Sequence, residues 1–263
     1  METLKYILVC LAAVAASVGA PHIQRRLGWM RPNHAGRIIP SEEGIGILFV
    51  ALTGFLLQGE FAGAVLLMAY GSAGLFDDLV GDRSRGGIGG HLAALREGIV
   101  TTGLVKLILL PLVAISWAFV AVSAGWTTRL VDSVLVAGLA NIVNLLDTRA
   151  GRARAGTMLL FVPAALCAKW WGALGSAWFP VAISCFPGAA RDRRGEGMLG
   201  DIGSNVLGGM VAWFIVKACP TWFEWIAAII VVGLHVISEK ISFHVWLTST
   251  PVVRRLDAWT GVR

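Results

Sequence analysis

Charge is what this sequence has least of. Only 14% of its 263 residues are Asp, Glu, Lys or Arg, against roughly 25% in an ordinary soluble domain. Hydrophobic residues make up 56% and the mean hydropathy is +0.73, which excludes a single water-soluble core. Cysteine is scarce too. Cys10, Cys167, Cys185 and Cys219 lie in or beside apolar runs, and no two have CxxC spacing. No disulfide framework or zinc site is implied, and the four read as small hydrophobic fillers. Alternation of apolar and polar residues is also missing. Runs such as 107–122 and 225–236 do not alternate, which excludes a transmembrane barrel with its two-residue period.

What is present is a series of apolar runs separated by short polar segments. In lipid, backbone N–H and C=O groups must be paired within the segment, so such runs become helices. The prediction is an all-α polytopic transmembrane helix bundle, a single domain over 1–263. It has about nine spans, centred on 6–20, 44–57, 61–75, 101–124, 130–146, 156–168, 172–186, 204–218 and 223–236. Several are shorter than the ~20 residues that cross a ~30 Å hydrocarbon core, so flanking residues must be recruited or those helices tilt. Only Gln58-Gly59-Glu60 joins the second and third spans, which predicts a tight helical hairpin.

Charge sets the orientation. Segments 21–43, 79–100, 147–155, 188–203 and 239–263 carry 17 of the 22 Lys and Arg residues. The opposite face carries Lys5, Arg129, Lys169 and Lys217, and Lys106 lies inside a span. This is a positive-inside bias, with the N-terminus outside and the C-terminus cytoplasmic. Trp126, Trp170, Trp171, Trp222 and Trp225 fall near the outer boundary, where indole rings prefer to sit. The first run, with Lys5 and Ala16-Ser17-Val18-Gly19-Ala20, has the shape of a signal peptide. Pro21 directly after that stretch and the basic Arg25, Arg26 and Arg31 favour a retained span instead.

The informative residues are acids and amides on the inner face. Asp77 and Asp78 close an apolar helix, with Asp82 following. Adjacent helical residues do not face each other, so the two acids should have different tasks. Acids at a helix C-terminus oppose its dipole, which makes a merely solvated helix end costly. Asn141, Asn144 and Asp147 are spaced to share one helix face, either for interhelical hydrogen bonding or for a site. Gly200-Asp201-Ile202-Gly203-Ser204 enters the next apolar run. Asp201 or Ser204 could cap that helix, whose free N–H groups would also suit a phosphate. Lys106 either snorkels to the surface or reaches a phosphate. Glu42 and Glu43 read as an N-terminal charge pattern, and His235 and His244 as packing or interfacial residues.

These clusters, in this order and on one face, resemble the polyprenyl-phosphate N-acetylhexosamine-1-phosphate transferase superfamily, which includes phospho-N-acetylmuramoyl-pentapeptide transferase. The family's aspartate pair matches Asp77-Asp78. Its Asn-x-x-Asn-x-x-Asp signature matches Asn141, Asn144 and Asp147, and its Gly-Asp-x-Gly-Ser signature matches Gly200, Asp201, Gly203 and Ser204. Weaker echoes lie at 31–46, at Gly90-His91 and at 101–106. The resemblance implies transfer of a sugar-1-phosphate from a UDP-sugar to polyprenyl phosphate with release of UMP, dependent on Mg2+, at the cytoplasmic face of the plasma membrane. It implies Asp77 or Asp78 handling the lipid phosphate, Asp201 and Asn144 as metal ligands, and Asn141, Asp147, Lys106, Gly203, Ser204 and Arg191 in substrate binding. Arg149, Arg152 and Arg154 are further candidates, since a guanidinium binds phosphate bidentately. Polyprenyl phosphate, a UDP-sugar and membrane lipids are the expected partners, with a homodimer as the candidate assembly and no nucleic acid.

The chain departs from the family pattern. Ala150 stands where the family often has a second acid, and the His-rich inner loop of the muramoyl-pentapeptide enzyme is not recognisable. This argues against that substrate. It also keeps open an altered or inactive membrane scaffold that binds the lipid carrier.

Overall fold

The computed structural model describes residues 2–32, 36–40, 43–81, 87–168, 178–241, 249–251 and 254–255. Glu42, Asp82, Lys169, Trp170, Trp171 and His244, together with the first part of the 172–186 run, lie outside the described residues.

Helices dominate. In chain order they are α1 (Glu2–Leu27), α2 (Gly44–Leu57), α3 (Phe61–Val80), α4 (Gly87–Arg96), α5 (Thr102–Ala121), α6 (Trp126–Leu146), α7 (Arg152–Cys167), α8 (Trp178–Ser184), α9 (Ala189–Arg193), α10 (Gly200–Ala218) and α11 (Thr221–Lys240). Five of them, namely α1 from Thr3, α3, α5, α6 and α11, are long and apolar enough to cross a membrane. Their outward faces carry side chains such as Val65, Val120 and Ile229, exposed by 70, 83 and 68%. Apolar surface on that scale belongs against hydrocarbon. α1, α3, α6, α7, α10 and α11 run beyond the apolar runs. The fifth turn of α3 continues through Asp77 and Asp78, and α6 begins at Trp126, so polar flanks are recruited there.

A small element is not helical. β1 (Met30–Pro32) and β2 (Ile38–Pro40) pair antiparallel in the segment between α1 and α2, with Arg31 opposite Ile39. Both strands are edges and both end in proline, the kind of position that tolerates a residue without an N–H. Pro21, inside α1, has a different consequence. It has no N–H for the Ser17 carbonyl, and the Arg191 Nη1 donates to that carbonyl instead, at 2.8 Å.

The centre of the bundle is α10. Nearly every residue from Ile202 to Ile215 is buried, against α3, α6, α2 and α7. Its glycines let the neighbours come close. A Cβ on Gly208 would meet the Leu139 carbonyl oxygen and the Ala140 Cα of α6. A Cβ on Gly74 of α3 would lie 2.5 Å from the Asp201 carbonyl carbon. Gly203 and Gly44 are pressed backbone to backbone in the same way. In each case the obstacle is main chain, which cannot rotate aside.

Gly208→Val is therefore expected to force α10 and α6 apart. Overpacking of this kind costs about 1–3 kcal/mol. A lowered thermal midpoint in detergent is the expected result. An unchanged midpoint would show that the two helices do not approach this closely.

Candidate functional site

Asp77 and Asp78 sit side by side at the end of α3 and point to different places. Asp78 is buried, 2% exposed. One of its oxygens accepts from the backbone N–H of Asp201 at 2.6 Å and of Ile202 at 3.2 Å. Those N–H groups open α10 and have no partner in their own helix. Leu199, the residue preceding α10, supplies no side-chain cap. Asp78 caps α10 from another helix, and the positive end of α10 offsets the unfavourable position at the negative end of α3.

Asp77 turns the other way. Its Oδ2 lies 3.4 Å from the Lys106 Nζ. The same ammonium contacts the Asp201 Oδ2. Lys106 is 9% exposed and bridges two carboxylates from α3 and α10, so its stem does not run to the surface. Thr101 caps α5 by accepting from the Leu104 N–H at 3.2 Å, which sets the helix that carries Lys106. The Thr101 hydroxyl also hydrogen-bonds the His91 Nδ1 at 2.8 Å.

From α6, the Asn144 Nδ2 donates to the Asp201 Oδ2 at 3.4 Å. Its Oδ1 accepts from the Ser204 hydroxyl at 3.0 Å. Three segments far apart in sequence thus meet at Asp201. Asn141, one turn back along α6, hydrogen-bonds the His235 Nε2 of α11 at 2.9 Å. Asp77, His91, Lys106, Asn141, Asn144, His235 and Glu239 line a cavity of about 480 Å³, closed on its apolar side by Leu107, Leu110, Ala137 and Leu145.

Other expected site residues lie elsewhere. Asp147 and Arg149 line a separate hollow of about 90 Å³ with Asp192 and Met198. Burial, then the nearby Asp192 and Asp201 carboxylates, push the Asp147 carboxyl well above the usual range. Gly203 packs against Gly44. Arg191 and Arg154 belong to a largely buried ionic network between α2, α7 and α9. The Arg191 Nε reaches the Glu43 Oε1 at 2.7 Å. Arg154 pairs with Asp192 at 3.0 Å and Glu43 at 3.3 Å, and donates to the Cys185 carbonyl. Burial raises the Glu43 carboxyl to about 7 against the opposing pull of Arg154 and Arg191. Glu43 thus ties α2 to α7 and α9. Gly188 turns with φ 73°, where a side chain would also strike the Glu43 carboxylate. Arg152 bonds the Thr148 hydroxyl at 3.0 Å.

Reading the residues alone missed this network, and it also missed His235 and Glu239 as cavity residues. The one available signal was their four-residue spacing, which puts both on one face of α11.

Among the described residues the charges around Lys106 do not balance. The α10 N-terminus compensates Asp78, which leaves Asp77 and Asp201 against one ammonium. Among the described residues no three or more His, Cys, Asp or Glu side chains gather as a metal cluster. A hard cation needs fewer, since Mg2+ is often held by one or two carboxylates, with substrate phosphates and water completing its shell. Asp77 and Asp201 fit that donor set. No family model matches this chain, and no curated protein matches it significantly.

Proposed function

We propose that this protein is a phosphoglycosyl transferase of the membrane surface. It moves a sugar-1-phosphate of the N-acetylhexosamine type from a UDP-sugar to polyprenyl phosphate and releases UMP, in the building of cell-envelope polymers. The observation that carries the reading is the convergence of Asp77, Lys106 and Asn144, from three helices, on one cavity beside an apolar wall, with Asp201 of a fourth helix held against Lys106 and Asn144. An apolar wall suits a lipid acceptor, and an ionic cluster suits a diphosphate.

In this reading an oxygen of the lipid phosphate attacks the phosphorus that carries the sugar. The bond from that phosphorus to the bridging oxygen breaks, and the bridging oxygen leaves on UMP. Phosphoryl transfer of this kind is mostly positioning and charge neutralisation. Asp77 orients the lipid phosphate and takes its proton where one is present. Lys106 pairs with the diphosphate oxygens, Asn144 and Ser204 hold Asp201 in place, and Asp78 fixes the start of α10 beneath them. Asp201 and Asp77 would hold magnesium, which when bound neutralises charge on the phosphoryl oxygens. The topology that goes with this reading has nine spans, the N-terminus outside, and the site at the cytoplasmic face of the plasma membrane. The basic inner segments support it.

One observation favours a second reading. The Lys106 ammonium already bridges Asp77 and Asp201, an arrangement that a non-catalytic lipid-carrier-binding scaffold could keep permanently. Purified protein supplied with polyprenyl phosphate, a panel of UDP-sugars and magnesium separates the two. UMP release with at least one sugar, abolished by a chelator and restored by magnesium, is expected. Lipid binding without UMP release from any sugar would favour the scaffold.

A further inference from the structure

His235 sits where two hollows meet. The first is the polar cavity described above. The second is an apolar groove of about 560 Å³ between α5, α6 and α11, which shares Pro111, Ala137, Gly138 and His235 with it. The ring makes two hydrogen bonds. Its Nδ1 lies 2.8 Å from the Val231 carbonyl oxygen, and its Nε2 lies 2.9 Å from the Asn141 Nδ2.

A carbonyl oxygen can only accept, so Nδ1 carries the proton. In a neutral imidazole the other nitrogen is then an acceptor. The only donor Asn141 can offer it is its NH2 group. The Val231 carbonyl therefore dictates the tautomer, the tautomer dictates which end of the Asn141 amide faces the ring, and the Asn141 Oδ1 is turned toward the cavity. Among the described residues that oxygen has no hydrogen-bond partner, and it is not among the buried polar atoms sealed from solvent. The Ser238 hydroxyl bonds the His235 carbonyl at 2.8 Å, which helps to fix this turn of α11.

We propose that His235 is a positioning residue that presents the Asn141 Oδ1 to the cavity as an acceptor for a neutral donor, a hydroxyl or amide N–H, on the sugar of the bound nucleotide. Asn141 lies three residues, about 4.5 Å of helix rise, from Asn144 and away from the ionic cluster. The next turn of α6 brings Gly138 and Ala137 to the cavity, with Pro111 of α5, and these apolar neighbours suit a neutral group better than a phosphate. The donor's identity rests on the phosphoglycosyl transferase reading. The orientation of Asn141 does not.

Two measurements on the full-length protein in detergent test this. The first is the side-chain nitrogen NMR spectrum of protein labelled with 15N-histidine at mildly alkaline pH, with the His235 signals assigned by their loss in His235→Gln. A protonated Nδ1 and an unprotonated, hydrogen-bonded Nε2 are expected. The opposite tautomer would overturn the positioning role, whatever the protein catalyses. The second is calorimetric binding of UDP and of a UDP-N-acetylhexosamine. Loss of one such hydrogen bond weakens binding by about tenfold. His235→Leu, with no acceptor, and His235→Lys, with only donors, should weaken UDP-sugar binding by that factor and leave UDP binding unchanged. His235→Gln keeps an acceptor oxygen and should restore most of the difference. Equal losses for UDP and UDP-sugar would overturn the sugar contact, and a glutamine variant as weak as the leucine variant would overturn the positioning role. If no UDP-sugar binds the parent protein, the transferase reading fails and the sugar contact with it, while the NMR result still judges the orientation of Asn141.

Discussion

Asp201→Asn is expected to lower UMP release by about a hundred- to a thousand-fold, the range seen when one preorganised electrostatic group is removed from a reaction site. The substitution is nearly isosteric. Asp78 accepts from the backbone N–H of residue 201 and not from its side chain, so the cap on α10 survives. Ser204 still bonds Asn144. What is lost is a negative charge beside Lys106, and with it one of the two carboxylates suited to a hard cation. The thermal midpoint should stay close to that of the parent while turnover collapses. An Asp201→Asn protein that keeps a third or more of the parent's turnover would remove Asp201 from the chemistry and weaken the transferase reading with it.

Asp78 should behave in the reverse order, with stability lost first. Its carboxylate accepts two backbone N–H groups in a buried position. Hydrogen bonds to a charged acceptor contribute about 1.5–3 kcal/mol each, and a buried donor left without a partner costs about 1–3 kcal/mol. Asp78→Leu should therefore destabilise the protein by on the order of 3 kcal/mol or more, read as a large fall in the thermal midpoint. Asp78→Asn keeps one acceptor oxygen and should fall less. Asp77→Asn should do the opposite, with little change in the midpoint and most of the turnover gone, because Asp77 faces the cavity and Lys106. If the two asparagine variants cannot be told apart in both measurements, the division of labour between the neighbouring aspartates is wrong.

The helices were legible in the sequence because the apolar runs that specify them are local. The run at 44–57 coincides with α2, α5 stops short of the end of the 101–124 run, α8 covers only 178–184 of the 172–186 run, and the other runs lie largely within helices extended by their polar flanks. The pairing of β1 and β2 was not legible, since their segment has no apolar period. The candidate site was legible as three clusters on one face, but not as an arrangement. Spacing could separate Asp77 from Asp78 without saying which of them faces the cavity. Lys106 showed two options, and a pair of carboxylates from other helices takes it away from snorkelling. Arg154 and Arg191 were plausible phosphate contacts until Glu43 and Asp192 are seen to engage them.

Composition and pattern alone therefore determined that this is a helical membrane protein with acids and amides gathered beside its basic segments. Lipid leaves the backbone no partner except itself, so the rule acts within each segment and needs no knowledge of the others. Only the tertiary structure decided the role of each polar side chain. Inside the bundle most buried donors and acceptors find a partner, and here the partners of Asp78, Lys106, Arg154 and Asn141 come from segments 29 to 124 residues away. Which of them meet depends on where the glycine-lined contacts of α10 let the helices close, and no local pattern records that.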